Sequence, residues 1–471
     1  MRVDERTIED RFLPRLHVRP AVIALPSLWT QLLVLAPPIV VEHFLHLLVG
    51  VTDTWVANHL PTNAAAATAA VGTISYFLWF IGLTTSAFGT GATALIARAK
   101  GARHRSLANS VCGQAIAAML LVGATVALGL FACSLPLVRI SGLGGNATAL
   151  AHSYLKMLAW SVPFSTVMFV ANACLRGAGD TLTPAISMLI VDGINMSLTY
   201  SLGLGRWGMP ALGYNGIALG TVIAYIIGGI LQFGVLMAGR GGIRLHLHRM
   251  RPHWLTLKRI LRVGVPSGVE SMLVWIAQFA VIHFINSLDT RSNIAPAAHN
   301  NAVRLEAFSY MVGFAIATAA ATMVGQSLGA RDQRRAQKAA YLCFAVGGGF
   351  MTACGLFFIF VGRPLSDWMS NDQAISQLTA TCLFITGFVQ LTFGASIIFS
   401  GALRGAGDTM AVMVLNLLSI LFVRVLGVVI VVRILHMGLA AVWVVLCIEL
   451  FVRGVLMYAR FLQGSWRTVK V

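Results

Sequence analysis

The chain has few charged residues, and acids are the scarcest of them. Only 11% of its 471 residues are charged, with 16 Asp and Glu against 34 Lys and Arg. Because a soluble domain needs polar side chains to cover its surface, this shortage, beside 57% hydrophobic residues and a mean hydropathy of +0.80, excludes a soluble globular protein. The composition predicts an integral membrane protein.

Several catalytic and cofactor motifs are also missing. The phosphate-binding pattern Gly-x-x-x-x-Gly-Lys-Ser/Thr does not occur, which argues against ATP hydrolysis in this chain, and neither does the zinc motif His-Glu-x-x-His. The 7 cysteines stand singly in apolar stretches without paired spacing, which is typical of small buried hydrophobes. His246, His248 and His253 have no cysteine or carboxylate beside them, so we predict no metal centre there. The expected protein is not an enzyme and needs no cofactor.

Long apolar runs recur along the whole chain. Each has about twenty residues or more, enough to cross the roughly 30 Å hydrocarbon core of a bilayer. The runs are too continuously apolar for the alternating strands of a membrane barrel, so the predicted fold class is all-α. We predict twelve transmembrane helices, at roughly residues 29–57, 66–97, 107–136, 149–175, 182–205, 212–239, 257–287, 295–327, 337–362, 374–402, 410–434 and 438–461.

The sequence contains an internal duplication. Leu175-Arg-Gly-Ala-Gly-Asp-Thr181 recurs letter for letter as Leu403-Arg-Gly-Ala-Gly-Asp-Thr409, and the same offset places Glu42 on Glu270 and Gly101-Ala-Arg on Gly329-Ala-Arg. Because each copy has six spans, both copies start on the same side of the membrane and form parallel repeats around a central cavity. We predict an N-terminal tail (1–27), an N-lobe (28–239), a linker (240–256), a C-lobe (257–462) and a C-terminal tail (463–471).

The net charge of +18 is concentrated in alternate loops. Such a charge is also found in nucleic-acid-binding proteins, but its placement follows the positive-inside rule, which puts the basic loops and both termini in the cytoplasm. The tail 1–27 mixes both signs of charge without an apolar core, so we expect no cleaved leader. The linker is basic enough to lie on anionic lipid headgroups. The basic residues are Arg98, Lys100, Arg103, Arg105, Arg240, Arg244, Arg249, Arg251, Lys258, Arg259, Arg262, Arg331, Arg334, Arg335 and Lys338.

Acids inside the first span are candidates for function, because a charge retained at membrane depth usually faces a cavity or a partner. Glu42 and Asp53 are eleven residues apart, about three helical turns, so both lie on nearly one face, which His46 shares. Glu270 is the second-half copy of Glu42, whereas the copy of Asp53 is Val281. We therefore expect ion coupling at Asp53 and a substrate cavity at Glu42, His46 and Glu270.

The fifth span has a second polar face. Asp192, Asn195 and Thr199 follow one another at turn spacing and supply oxygen atoms for a proton relay or a small hard cation. Asn195 and Thr199 could instead satisfy one another at a helix interface. We interpret Glu306, two residues from Arg304, and Glu449, one turn before Arg453, as members of structural ion pairs.

The duplicated heptapeptide has a structural interpretation. Its glycines allow a tight turn, Asp180 and Asp408 can cap the helix that follows, and Arg176 and Arg404 end the helix before it. We favour this role over direct contact with a ligand.

These segments resemble the multidrug and toxic compound extrusion (MATE) family, and its bacterial DinF-like branch in particular. The resemblance implies a twelve-helix, two-lobed inner-membrane antiporter that exports organic, often cationic, compounds in exchange for H⁺ or Na⁺. It rests on the heptapeptides and on Val51-Thr-Asp-Thr54, Gly264-Val-Pro-Ser-Gly-Val-Glu270, Ala302-Val-Arg304, Val324-Gly-Gln-Ser-Leu-Gly-Ala330 and Gly464-Ser-Trp466.

The resemblance also implies roles for single residues. Asp53 matches the family's first-helix coupling aspartate, Asn195 the fifth-helix asparagine of the same site, and Thr221 a sixth-helix threonine. Thr199 stands where many relatives have an aspartate, so a Na⁺ site at Asp53 and Asn195 would be complete only if Asp192 substituted for it. We therefore prefer H⁺ as the coupling ion.

The predicted function is secondary active multidrug efflux by rocking-type alternating access in the bacterial inner membrane. The expected partners are small-molecule substrates, H⁺ or Na⁺ and membrane lipids, without nucleic acid, and the family-based expectation is a monomer. The alternative is a flippase that moves a lipid-linked or amphiphilic molecule, which calls for a wide, more cationic cavity than the sparse intramembrane bases indicate.

Overall fold

The computed structural model describes residues 27–62, 64–140, 145–288 and 294–469, so the predicted N-terminal tail lies outside it except for Ser27. Within these ranges the secondary structure is helical and contains no strand. The helices are α1 (Leu28–Asn58), α2 (Ala64–Gly101), α3 (Arg105–Ile140), α4 (Gly145–Ala178), α5 (Leu182–Leu204), α6 (Tyr214–Met237), α7 (Trp254–Leu288), α8 (Ile294–Gly329), α9 (Gln333–Met369), α10 (Gln373–Gly387), α11 (Gln390–Gly405), α12 (Thr409–Leu418), α13 (Leu426–Val429) and α14 (Leu439–Gln463).

These helices make up the predicted membrane spans. In the described ranges, 10 helical segments are long and apolar enough to cross a bilayer, and α10 with α11 forms one further span bent by 61°. The 38-residue helix α2 completes the set. The prediction of an all-α protein with twelve spans is confirmed. The N-lobe consists of α1–α6 and the C-lobe of α7–α14.

One span departs from regular α-helix. Between Thr409 and Ile434 the chain stays helical, but Ser419–Val425 and Ile430–Ile434 are π-helical, on either side of α13. Hydrophobic periodicity does not distinguish an α-helix from a π-helix over so few residues.

Short polar residues begin several helices where the sequence supplies them. The Ser27 hydroxyl accepts a hydrogen bond from the backbone N–H of Thr30 at the start of α1. The Asp332 carboxylate accepts one from the N–H of Arg335 at the start of α9. Such caps satisfy backbone donors that the helix itself leaves without a partner.

The lobes meet at the end of the molecule that carries the basic loops, which we call the basic end. There the last turns of α2 and α8 cross. A Cβ atom at Gly101 would lie 1.9 Å from the carbonyl oxygen of Gln326, and one at Gly329 would lie 2.1 Å from that of Arg98. Gln326 is the repeat equivalent of Arg98, so the two contacts correspond to each other. Glycine is required at both positions because any side chain would collide with backbone.

Hydrogen bonds across the lobes reinforce this contact. The Arg98 guanidinium, at the end of α2, donates to the carbonyl oxygens of Ala406 and Val469, each at 2.7 Å. In the reverse direction, Gln326 Nε2 donates to the carbonyl oxygen of Gly177 at 3.3 Å. The basic end is therefore closed by polar links as well as by close packing.

Clusters of buried apolar side chains show where the lobes are joined. Near the basic end, Leu35 of α1 packs in a cluster with C-lobe residues, and Ile260 of α7 packs in a cluster with N-lobe residues. Toward the opposite end, the clusters formed by the described residues each belong to one lobe, one around Leu155 and another around Trp443. Among the described residues, the lobes share buried apolar clusters at the basic end, and the clusters at the opposite end belong to single lobes.

The linker and the C-terminal segment both pack on the lobes. Ile243 and Leu245 of the linker are buried against the N-lobe, and Gln114 Nε2 of α3 donates to the carbonyl oxygen of Arg249 at 2.8 Å. The predicted C-terminal tail is likewise not free, because Trp466 is fully buried and stacks on Phe461 at 4.8 Å.

Candidate functional site

Asp53 lies near the end of α1 and is buried against α5. The hydroxyl of Thr199 donates to Asp53 Oδ1 at 3.3 Å, and Thr199 itself is fully buried. Asp53 forms no ion pair with any described residue. Asp53 and Thr199, two candidate residues on different helices, are thus in contact. The partner of the Asp53 carboxylate is the neutral hydroxyl of Thr199.

Thr221 of α6 connects three further groups. Its hydroxyl accepts hydrogen bonds from Asn195 Nδ2 at 3.1 Å and from the Tyr154 hydroxyl at 3.0 Å, and donates to the carbonyl oxygen of Ile217 at 3.3 Å. One donor and two acceptor positions exhaust what a hydroxyl offers. We call Asp53, Tyr154, Asn195, Thr199 and Thr221 the N-lobe polar cluster.

Part of this region remains unsatisfied. Asn195 Oδ1 and the hydroxyl of Tyr214 are buried, and no described residue hydrogen-bonds to either atom. Because buried polar atoms without partners are costly, a further hydrogen-bonding group would be stabilised beside them. Tyr154 and Tyr214 are not among the predicted site residues, since an aromatic residue in an apolar span gives no signal that separates it from core packing.

Asp192 lies on the same helix at a different depth. It is seven residues before Thr199, roughly 10 Å along α5, so it is remote from the Asp53 carboxylate that Thr199 contacts. Its Oδ2 atom is buried and has no hydrogen-bond partner among the described residues. Asp192 therefore lies outside the group of residues around the Asp53 carboxylate, and its role in ion coupling stays a prediction.

Each lobe contains one ion pair between the arginine of its heptapeptide and a glutamate of its first helix. Arg176 Nη1 lies 2.8 Å from Glu42 Oε1, and Arg404 Nη2 lies 2.5 Å from Glu270 Oε1. Both residues of the second pair are the repeat equivalents of those of the first. The arginines therefore do more than end a helix, because each neutralises the acid that was predicted to line the substrate path.

The space between the lobes is a cavity of about 390 Å³, the interlobe cavity, lined by Arg176, Arg404 and His43 among others. His46, predicted for this role, lines neither this cavity nor the C-lobe cavity described below. On α1, Glu42 contacts Arg176, and the next residue, His43, lines the cavity. The structure thus adds His43 as a lining residue of the interlobe cavity, and the role of His46 stays a prediction.

The two aspartates of the heptapeptides behave differently. Asp180 Oδ1 accepts a hydrogen bond from the backbone N–H of Thr183 at 3.0 Å, as the capping prediction requires. Asp408 makes no capping hydrogen bond and pairs with Arg460 at 2.9 Å, so the prediction is wrong for this copy. The cause is a difference between the repeats: the N-lobe has Gln232 at the position corresponding to Arg460.

Replacing Asp180 by alanine removes this cap and should destabilise the protein by about 1 kcal/mol, the usual cost of a lost N-cap. Asp180→Asn is the matched control, since asparagine offers an acceptor oxygen at the same place. The midpoint of thermal unfolding in detergent measures the effect. Equal losses in both variants would show that the charge of Asp180 matters and the cap does not.

The C-lobe holds a larger cavity of about 740 Å³, the C-lobe cavity. Glu306 lines it and is 8% exposed. Its predicted pairing with Arg304 is wrong, because Arg304 is exposed and Glu306 Oε1 instead accepts hydrogen bonds from Thr386 Oγ1 at 2.6 Å and Gln390 Nε2 at 3.1 Å. These partners come from α10 and α11, some 80 residues away in sequence.

One further segment has the spacing of a hydrolase motif. Gly325-Gln-Ser-Leu-Gly329 matches Gly-x-Ser-x-Gly, whose serine must stand exposed on a strand-to-helix turn. Ser327 is 1% exposed within α8, however, in the region where the lobes pack together. The segment therefore serves helix packing.

Comparison with known proteins agrees with this architecture. The family model described as MatE matches residues 38–201 and 266–430, and Pro38 and Pro266, where the two segments begin, are equivalent positions of the repeat. A "Probable multidrug resistance protein NorM" of Thermotoga maritima is 29% identical over 444 residues, covering 94% of each chain. A "Probable multidrug resistance protein YoeA" of Bacillus subtilis is 27% identical and covers 85% of this chain and 86% of its own.

Solved structures share the fold. "Crystal structure of MATE in the straight conformation" superimposes with a TM-score of 0.86 at 20% identity, covering 96% of this chain and 100% of the other. A MOP superfamily transporter from Pyrococcus furiosus gives the same TM-score at 21% identity, with the same coverage. Because the family model matches both halves of the chain at the spacing of its repeat, the protein belongs to the MatE family of multi-pass membrane transporters.

Proposed function

We propose that the protein is a secondary active multidrug antiporter of the bacterial inner membrane, which exports organic and often cationic compounds in exchange for H⁺. The observation that carries this proposal is the N-lobe polar cluster, in which Asp53 is buried beside a hydroxyl and without a basic partner among the described residues. A carboxylate at membrane depth is costly when charged, so binding a proton or a cation there stabilises the lobe.

The orientation of the protein in the membrane follows from the charge of the loops. With the basic end in the cytoplasm, as the positive-inside rule requires, both termini are cytoplasmic and the lobes are joined on that side. The conformation described above is then outward-facing. Rocking of one lobe against the other about their shared contacts would open the cytoplasmic side instead.

Exchange arises because ion and substrate compete for negative charge. In the outward-facing state Asp53 binds a proton, which lowers the attraction of the N-lobe for a cationic substrate and releases it outside. In the inward-facing state the proton leaves and a new substrate binds. Each ligand lowers the affinity for the other, and this reciprocal coupling is what distinguishes an exchanger from a leak.

The choice of H⁺ over Na⁺ rests on the ligands that surround Asp53. A hard cation such as Na⁺ favours several oxygen ligands. Here Thr199 takes the position of a second carboxylate, and Asp192 lies about two turns away along α5. One carboxylate with hydroxyl and amide neighbours is sufficient for a proton.

The test is transport in proteoliposomes loaded with a fluorescent organic cation. An imposed pH gradient alone should drive uphill movement, and an imposed Na⁺ gradient alone should not. Movement of the cation with the Na⁺ gradient only would show that the coupling ion is Na⁺ and not H⁺. Movement of a fluorescent lipid analogue, with no movement of the cation under either gradient, would support the flippase instead.

A further inference from the structure

The C-lobe cavity contains charged groups that the proposed exchange at Asp53 does not use. Two of them, Arg424 of the π-helical segment and Arg453 of α14, approach one carboxylate, Glu449. A third group, Glu306, has its carboxylate on the α8 side of the same cavity. The arrangement of these charges indicates what the cavity binds.

Glu449 is fully buried between the two arginines. Arg424 Nη2 donates to Glu449 Oε2 at 2.6 Å, Arg453 Nε lies 3.2 Å from Oε1, and Ser419 Oγ donates to Oε1 at 2.8 Å. One carboxylate shared by two guanidinium groups leaves this group, the Arg424–Glu449–Arg453 triad, with a net charge of +1.

No other described carboxylate compensates this charge with an ion pair. Glu270, which also lines the cavity, is paired with Arg404. Arg424 has one further contact, to the amide oxygen of Gln278, at a long 3.5 Å, and Arg453 has no other hydrogen-bond partner among the described residues. An uncompensated charge at membrane depth is costly, so an anionic group in the cavity would be bound favourably.

The backbone around Arg424 is itself unusual. Ser419–Val425 is π-helical, a conformation that is rare and often found at functional sites. Both Ser419 and Arg424, which contact Glu449, come from this segment. The departure from α-helix therefore coincides with the residues that hold the triad.

Glu306 is an acid of this cavity that would carry a negative charge favourably beside a cationic group of a ligand. Its carboxylate accepts hydrogen bonds from the neutral groups of Thr386 and Gln390 and forms no ion pair within the described ranges. The cavity thus holds a positively charged triad and, apart from it, an acid that no described basic residue contacts in an ion pair.

The size and walls of the cavity suit an aromatic molecule. Its volume of about 740 Å³ lies within the range of sites that enclose drug-sized ligands. Tyr310, Phe393 and Trp443 line it together with the charged groups. Aromatic rings offer large contact area to a flat ligand at low entropic cost.

We infer that the C-lobe cavity binds zwitterionic aromatic amphiphiles, with the ligand's carboxylate against Arg424 and Arg453 and its cationic nitrogen near Glu306. This inference rests on the proposed function and narrows its substrate class. The cationic compounds exchanged at Asp53 and the zwitterions bound here would share the path between the lobes.

Rhodamine 110 and rhodamine 123 test the inference, because they differ only in that the carboxylate of the first is a methyl ester in the second. Fluorescence anisotropy with the purified full-length protein in lipid nanodiscs, without any gradient, should give an affinity for rhodamine 110 about tenfold higher, the usual effect of one hydrogen bond to a charged group. Arg453→Gln should remove that preference, because it lowers the affinity for rhodamine 110 more than the affinity for rhodamine 123.

Arg453→Lys is the control, since it keeps the positive charge and should keep most of the preference. Equal affinities for the two dyes in the wild-type protein, or a preference unchanged in Arg453→Gln, would overturn the inference. The outcome is separable from the proposed exchange. Preferential binding of rhodamine 110 without gradient-driven transport would contradict the exchange alone, and export of rhodamine 123 without that preference would contradict the zwitterion site alone.

Discussion

Replacing Gly329 by alanine should reduce exchange to background, although the protein still folds. The added Cβ atom would lie 2.1 Å from the carbonyl oxygen of Arg98, well inside the 3.0 Å that real Cβ contacts respect. Since backbone cannot move aside as a flexible side chain can, the last turns of α2 and α8 would be held apart. The basic end could then no longer close, and the transporter would lose its outward-facing state.

Local helix stability cannot account for such a loss. Alanine is a better helix former than glycine by about 1 kcal/mol, so the substitution strengthens α8 itself. Gly101→Ala should have the same effect from the other lobe, because its Cβ would lie 1.9 Å from the carbonyl oxygen of Gln326. Gly50→Ala in α1 is the matched control, since no atom lies within 4 Å of its added Cβ.

The failure of the basic end to close can be measured as the distance between the α2–α3 loop and the α8–α9 loop. Spin labels on cysteines introduced at the exposed Ala102 and Ala330, in a protein without its native cysteines, report the separation of the two basic loops. The separation should be short and uniform in the labelled wild type and in Gly50→Ala, and longer in Gly329→Ala. Unchanged distances with wild-type transport in Gly329→Ala would show that this crossing is not the closed gate.

Asp53→Asn should abolish uphill transport driven by a pH gradient. Asparagine has nearly the shape of aspartate and retains an oxygen that can accept the hydrogen bond from Thr199, but it cannot bind and release a proton. Because a single carboxylate carries the exchange in this account, the rate should fall by roughly the factor of 10² or more that loss of an essential proton-transfer group costs.

Asp332→Asn is the matched control for this variant. It makes the same chemical change at the start of α9, where asparagine caps a helix about as well as aspartate. Its transport should equal that of the wild type. Wild-type uphill transport by Asp53→Asn would remove Asp53 from the mechanism.

The repeat explains why much of the fold could be predicted from the sequence. A constant offset between the two copies, together with apolar runs of membrane length, predicts two six-helix lobes without reference to any contact. It also places Glu42 and Glu270, and Arg176 and Arg404, in corresponding positions. What it could not show is that each acid pairs with the arginine of its own lobe, because such a contact depends on how α1 and α4 pack.

The wrong predictions have a common physical cause. Glu306 is satisfied by side chains some 80 residues away, whereas sequence spacing reveals only neighbours on one helix. Arg304 was predicted to pair with Glu306 only because the two residues are close in the sequence. Asp408 shows the same limit: it pairs with Arg460 of another helix and does not form a cap like the one that Asp180 makes in the first repeat.

Tyr154 shows a different limit. Its hydroxyl completes the hydrogen bonding of Thr221, yet in the sequence it is one aromatic residue in an apolar span. The same holds for Arg424, whose contact with Glu449 depends on a π-helical turn that no residue pattern predicts. Function is therefore harder to predict than architecture in a chain built so largely of apolar residues.

The most direct test of the exchange is to measure whether a gradient of the organic cation drives protons across the membrane. Proteoliposomes with a pH-sensitive dye inside are given an organic cation gradient and no ion gradient, at equal pH and Na⁺ on both sides. The account predicts that cation entry drives proton exit, seen as a rise of internal pH that is absent in Asp53→Asn. Cation entry without any change of internal pH, or with the same change in Asp53→Asn, would contradict it.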